Sequence, residues 1–382
     1  MTPDPRPTLL VMSFSPLRSD ARVLRQIRLF SARYAVTTLG YGEAPDGVVA
    51  HLRIPDEVVH WHKDRRLLAA RRYDAAYRRS PVVRAVEPLV DALRSRVDVV
   101  IANDTDTLPL ALDLRPRGGV HLDLHEYAPR QDEDSWRWRV FVAPYYRWLL
   151  RRYGPRADSV TTVGRWLARE YRREFGLVAG VVPNAAPYAD RSPTPVGAPL
   201  RLAHSGVARR NRALHLMLDA VRRADRDLTL DLYLVPNDPA YLAELRAAAA
   251  DLPQVRFHDP VAPHELGQVL SRADLGVFLL PPVNLNYRFS LPNKFFDFVQ
   301  ARLGVVIGPS PEMADLVRHH GLGVVTDDFS AEALARALDR LDDEEVAAYK
   351  AASHAAAREL SAEHQVQGWA RAVDTLAARV NG

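Results

Sequence analysis

Along the 382-residue chain, short apolar runs rich in β-branched residues alternate with longer stretches whose apolar positions recur at helical spacing. In the first half this pattern predicts strands near 8–14 (TLLVMSF), 35–40, 97–102, 119–124, 158–163 and 178–182. Helices are expected between them near 20–33, 64–95, 105–114, 136–152 and 164–175. The alternation pauses at residues 183–199 (PNAAPYADRSPTPVGAP), dense in Pro and small residues and therefore expected as a linker. It restarts with strands near 200–204, 228–235, 254–257, 274–280, 304–308 and 322–326, and helices near 210–224, 239–250, 263–271, 293–302, 311–319 and 331–341. Runs apolar on both faces imply parallel strands covered by helices on each side. With right-handed crossovers, the expected α/β architecture is two Rossmann-like, doubly wound sheets facing across a cleft.

Composition narrows the class. With 47% hydrophobic and 26% charged residues the chain is neither disordered nor fibrous, and the absence of Cys excludes disulfides, thiolate nucleophiles and Cys-ligated metals. No charged leader precedes a long apolar stretch, so a cytoplasmic protein is expected. Of 51 basic residues only Lys63, Lys294 and Lys350 are lysine, the bias that a high-GC genome produces. Residues 63–96 carry ten basic side chains against four acidic ones. Such a stripe suits an anionic membrane surface, a phosphate or nucleic acid, or is a solvated helical face. Nucleic acid is disfavoured, because no aromatic platform or recognition module accompanies it.

In doubly wound sheets ligands lie outside the carboxyl ends of the strands, which selects the residues just after each run. The first gives Ser13-Phe14-Ser15-Pro16, with Ser19 or Asp20 placed to cap the next helix. Another ends in Asn103-Asp104-Thr105-Asp106, whose aspartates fit either a divalent cation or helix capping. The next ends in Asp123-Leu124-His125-Glu126, placing an imidazole at a strand end, as a structural or a functional residue. His60, His62, His319 and His320 lack that placement and are expected to be ordinary surface or core residues.

In the second half, Gly206 precedes Arg209, Arg210 and Arg212 where a helix begins, either an anion-binding turn or a plain basic face. Further on, Leu291-Pro292-Asn293-Lys294 opens a helix with Asp297 one turn later. A lysine at a helix N-terminus opposes the macrodipole, so an anionic group there is expected, with a salt bridge to Asp297 as the simpler account.

These segments together resemble the retaining, nucleotide-sugar-dependent glycosyltransferases of family 4, with the two-domain GT-B fold. The resemblance rests on SDARV at 19–23, DVVIANDTDTLPLAL at 98–112, DLHE at 123–126, VVPNAAP at 181–187, the Gly206 to Arg212 spacing and LPNKFFDF at 291–298. It implies an acceptor-binding domain at 1–190, a donor-binding domain at 191–360 and a terminal helix at 361–382 crossing back to the first. By position, His125, Arg212 and Lys294 would serve catalysis. Gly206, Arg209, Arg210, Asn293 and Asp297 would hold the donor, and Ser15, Asp104 and Glu126 would lie on the acceptor side. The implied reaction is retaining sugar transfer in bacterial carbohydrate biosynthesis, with no cofactor and no essential metal. The acceptor would be a glycan, a lipid-linked compound or a small molecule, and the basic stripe suits an anionic one or contact with the inner membrane face. Two features depart from the family pattern: Phe289 stands where a carboxylate commonly reaches the donor sugar, and Val207 where a second arginine often follows the glycine. They keep open a nucleotide-sugar epimerase, or a non-catalytic nucleotide-binding protein, on the same scaffold.

Overall fold

The computed structural model describes residues 6–380. Its chain divides into two compact units, Met1–Pro183 with Asn284–Asn286 and Val366–Gly382, and Asn184–Val283 with Tyr287–Gln365.

Among the described residues the first unit holds seven strands: β1 (Thr8–Pro16), β2 (Ala35–Tyr41), β3 (Ala50–Ile54), β4 (Val99–Asn103), β5 (Gly119–Leu124), β6 (Ser159–Thr162) and β7 (Gly180–Val181). They form one parallel sheet in the order β3-β2-β1-β4-β5-β6-β7. The second unit holds six, β8 (Leu200–Val207), β9 (Leu228–Val235), β10 (Val255–His258), β11 (Leu275–Phe278), β12 (Gly304–Ile307) and β13 (Gly323–Val325), in the parallel order β10-β9-β8-β11-β12-β13. In each sheet the strand order reverses beside the first strand of the unit, which opens a crevice at the carboxyl ends of β1 and β4, and of β8 and β11.

Packing explains why the strands read as apolar runs. Neighbouring residues point to opposite faces, and both faces are buried. On β12, Val306 joins one core with Leu202, Leu230 and Leu218, while Val305 and Ile307 join the other with Phe296 and Met313. The helix Gln367–Ala378 covers the first sheet, where Trp369, Val373 and Leu376 pack with Leu9, Val11, Val99 and Ile101. The Pro-rich segment expected as a linker is tied down within the second unit. Ala189 N–H donates to Gln300 Oε1 (3.0 Å), and the buried Lys350 ammonium joins Thr194 Oγ1 (3.0 Å) to Asp274 Oδ1 (2.8 Å).

Several elements differ from expectation. The stretch 64–95 is three helices, Arg65–Ala69, Tyr73–Arg78 and Pro81–Asp91. The first break is at Arg71, whose φ is +55°. At the second, Pro81 forces Ser80 into extended backbone. The helix expected from 210 starts as a short 3₁₀ turn, Arg210–Arg212, and becomes α-helical only at His215–Arg223, after Ala213 at φ +50°. β3 and the helix Asp343–Ala356 lie outside the predicted elements. No helix of the described residues is long and apolar enough to cross a membrane.

A buried ion pair anchors the first unit. Arg22 donates to both oxygens of Asp123 (2.8 and 2.7 Å) and to the Val182 carbonyl (2.7 Å), with its guanidinium 4.6 Å from the Trp369 ring centre. Burial alone would push the Asp123 carboxyl up, but Arg22 and the hydrogen bond to His125 hold it well below the ordinary carboxylate value. That contribution is present above the unfolded value and lost as the pH falls through the folded one. Arg22→Leu should therefore cost about 3 kcal/mol at neutral pH, read by chemical denaturation, because it leaves a buried carboxylate without its cation.

Candidate functional site

In the first unit, the carboxyl ends of β1, β4 and β5 border a cavity of about 540 Å3. His125 stands at its wall with both ring nitrogens facing oxygen acceptors. Nδ1 lies 3.3 Å from Asp104 Oδ2, and Nε2 lies 3.1 Å from Asn103 Oδ1 and 3.5 Å from Asp123 Oδ2. Asn103 Nδ2 donates to Met12 O (3.2 Å) and Gln26 Oε1 (3.0 Å), which fixes its oxygen toward the ring. Burial favours the neutral imidazole, but Asp104 and Asp123 outweigh it and raise its pKa above the ordinary value.

The aspartates are not helix caps. The helix after β4 begins at Leu108 with Thr107 at its cap position. Asp104, at φ +63°, accepts from the His125 N–H (3.0 Å), and Asp106 accepts from the Tyr146 hydroxyl (2.9 Å). Asp20 is the cap of the first α-helix, and Ser15 Oγ donates to it (2.7 Å) at the cavity edge. Glu126 also lines this cavity, as do His60 and Trp61, which sequence reasoning set aside, and Trp138 and Tyr146, whose rings stack 5.7 Å apart. The strand pattern gave these aromatics no signal, because they come from loops and helices that the fold folds back over the sheet edge. Among the described residues no three His, Asp or Glu side chains are grouped to hold a metal ion.

In the second unit, the ends of β8 and β9 and the helix Asn293–Gln300 border a cavity of about 440 Å3. Gly206, Arg212, Asn293, Lys294 and Asp297 meet here. Arg209 and Arg210 do not line it. Arg209 donates to Asn237, and Arg210 makes a bidentate pair with Glu244 (2.7 and 2.5 Å). Lys294 Nζ donates to His204 Nε2 (3.3 Å) and sits 4.4 Å from the Phe278 ring centre. The other nitrogen of His204 contacts the Val277 carbonyl (2.8 Å), which sets that nitrogen as donor and leaves Nε2 to accept. Burial and then Arg212 push the Lys294 pKa down to about 7, against Asp297, which favours the charge. Arg212 lies 4.7 Å from the Tyr287 ring centre, and its Nε is buried without a hydrogen-bond partner.

Gly206, near the end of β8, has φ +150°, and a Cβ there would come 2.5 Å from Lys294 Nζ, so this strand position favours glycine beside the ammonium. Tyr233, Val235, Pro260 and Leu266 form an apolar wall facing these polar groups. Phe289 is buried, and Val207 lines the cavity without charge. The arrangement offers two cations, an unpaired donor and a flat apolar wall, which suits a ligand with an anionic and a planar part.

Residues 199–344 match the family of glycosyl transferases group 1. Comparison with curated proteins gave no match. Among solved structures, HepE of Anabaena in complex with UDP and glucose is 14% identical, with a TM-score of 0.69 over 97% of this chain and 100% of its own. A glycosyltransferase of Rickettsia africae is 9% identical, with a TM-score of 0.68 over 98% and 99% of the two chains. The UDP-forming α,α-trehalose-phosphate synthase of Burkholderia xenovorans, in complex with glucose-6-phosphate, is 13% identical, with a TM-score of 0.64 over 96% and 100%. At these identities the likeness is one of fold, and the whole chain has the two-domain GT-B architecture.

The His125 environment predicts a titration. Its ring should titrate above the ordinary imidazole value of about 6.5, staying charged as the pH rises past that point, and Asp104→Asn should bring it down. Ring-proton NMR checks this, and a wild-type titration at or below the ordinary value contradicts it.

Proposed function

We propose that the chain transfers a sugar from a nucleoside diphosphate sugar to an acceptor hydroxyl, with the donor held by the second unit and the acceptor by the first. The observation that carries this reading is the pairing of Lys294 with Arg212 at one cavity wall, where burial and mutual repulsion disfavour the charge on the lysine. Such a pair is costly in the free protein and is relieved when a diphosphate binds between the cations. Gly206 lets backbone approach the phosphates, Asp297 is placed one helical turn from Lys294 for the ribose hydroxyls, and the Tyr233 to Leu266 wall suits the base. The matched family and the bound UDP and glucose of HepE support the same assignment.

In the proposed reaction the bond between the anomeric carbon and the diphosphate oxygen breaks while a bond to the acceptor oxygen forms on the same face, retaining configuration. The acceptor proton passes to the departing phosphate. Lys294 and Arg212 stabilise the charge that develops on that leaving group, so no metal ion and no enzyme nucleophile is needed. His125, held by Asp104, Asp123 and Asn103, would bind a sugar oxygen.

Lys294→Ala removes a charge-assisted phosphate contact worth about 1.5 to 3 kcal/mol and should weaken nucleoside diphosphate binding roughly tenfold to a hundredfold without lowering the melting temperature of the free protein. Calorimetric titration with UDP, GDP and dTDP, with and without magnesium, tests this and identifies the base. Equal binding by wild type and variant, or binding only with magnesium, contradicts it.

A further inference from the structure

The first-unit cavity has a lining chemistry that selects an acceptor class, an inference that rests on the transfer reaction proposed above. Four carboxylates line it, Asp104, Asp106, Glu126 and Asp132, and its lining contains no Lys or Arg. The nearby Lys63 is turned to Asp106 (3.5 Å), and the arginines of the 65–96 stripe are elsewhere on the unit. Burial and the neighbouring Asp134 raise the Asp132 carboxyl, and the His125 ring in the lining is already held by Asp104 and Asp123. Facing these acceptors are the rings of Trp138 and Tyr146 and the exposed Trp61. A second, independent feature points to a ligand with hydroxyl groups: Thr105 lines the cavity, is 2% exposed, and its Oγ1 has no hydrogen-bond partner.

We propose that this cavity binds the acceptor as an uncharged saccharide and excludes phosphorylated sugars. A pyranose offers an apolar C–H face, which packs on an indole, and a rim of hydroxyl donors, which carboxylates and the Thr105 hydroxyl accept. A phosphate dianion offers acceptors only, so it would leave these oxygens without donors and add like charge beside them. The basic stripe does not change this, because its arginines do not line the cavity and its Lys63 is paired with Asp106. If the acceptor is a longer chain, its terminal sugar is the uncharged one.

Saturation-transfer NMR on the full chain tests the proposal, with methyl glycosides of glucose, galactose, mannose and N-acetylglucosamine against glucose 6-phosphate and mannose 6-phosphate. At least one neutral glycoside should bind and the phosphates should not. Trp138→Ala and Asp132→Asn should each weaken that binding by about tenfold. UDP affinity, measured on the same samples, should stay at the wild-type value. It shows that the variants are folded and separates failure of the acceptor assignment from failure of the donor site. Phosphorylated sugars binding as well as neutral ones, no neutral glycoside binding at all, or binding indifferent to both substitutions would each overturn the proposal.

Discussion

Both sheets are wholly parallel, and that constraint organises everything else in the molecule. A parallel sheet is covered by helices on both faces, so a polar side chain within a strand must find a partner, as His121 does with Ser159 and Thr161, and Asp123 with Arg22. The one place where polar groups can gather, and still be shaped by a rigid scaffold, is the edge where the strands end. The chain uses that edge in each unit. Ser15 lies at the end of β1, Asp104 and His125 follow β4 and β5, and Gly206 lies at the end of β8, close to Lys294 at the start of the helix Asn293–Gln300.

The two edges handle charge in opposite ways. In the first unit the ionised groups beneath the cavity are compensated: Asp123 receives Arg22, Gln26 and Thr161, and its far side steadies His125. This network fixes the imidazole and favours its charged form. In the second unit burial and Arg212 outweigh the compensation from Asp297. Lys294 rests on a neutral imidazole and an aromatic face, beside a second cation with a buried donor unused. The proposed donor site is the second, where an anion would relieve the repulsion between Lys294 and Arg212.

Much of this was legible in the sequence because apolar periodicity reports burial directly. Strands buried on both faces, such as VVIAN and GVVI, stood out, and their ends pointed to His125, Gly206 and Lys294. What escaped was whatever burial does not mark. β3 is an edge strand with mostly exposed or half-exposed residues, so AHLRI carries no run. The helix Asp343–Ala356 buries Lys350 and Ser353 beside Val346 and Ala356, and two polar residues on its inner face hide the stripe. Its start was readable, since Asp342 and Glu345 form a capping box. His204 gave no signal as the partner of Lys294, because the contact joins residues 90 positions apart. Arg209 and Arg210 were expected at the donor beside Arg212, but Asn237 holds the one and Glu244 the other away from the cavity, contacts that join residues 28 and 34 positions apart.

The central claim is that the uncompensated charge at Lys294 exists to receive a diphosphate. With only three lysines in the chain, labelled lysine side-chain NMR can follow its titration with few competing signals. In the free protein Lys294 should titrate near 7, and saturating UDP should move that titration upward by placing an anion beside the ammonium. A Lys294 that titrates at the ordinary lysine value of about 10.4, with or without UDP, would contradict the account.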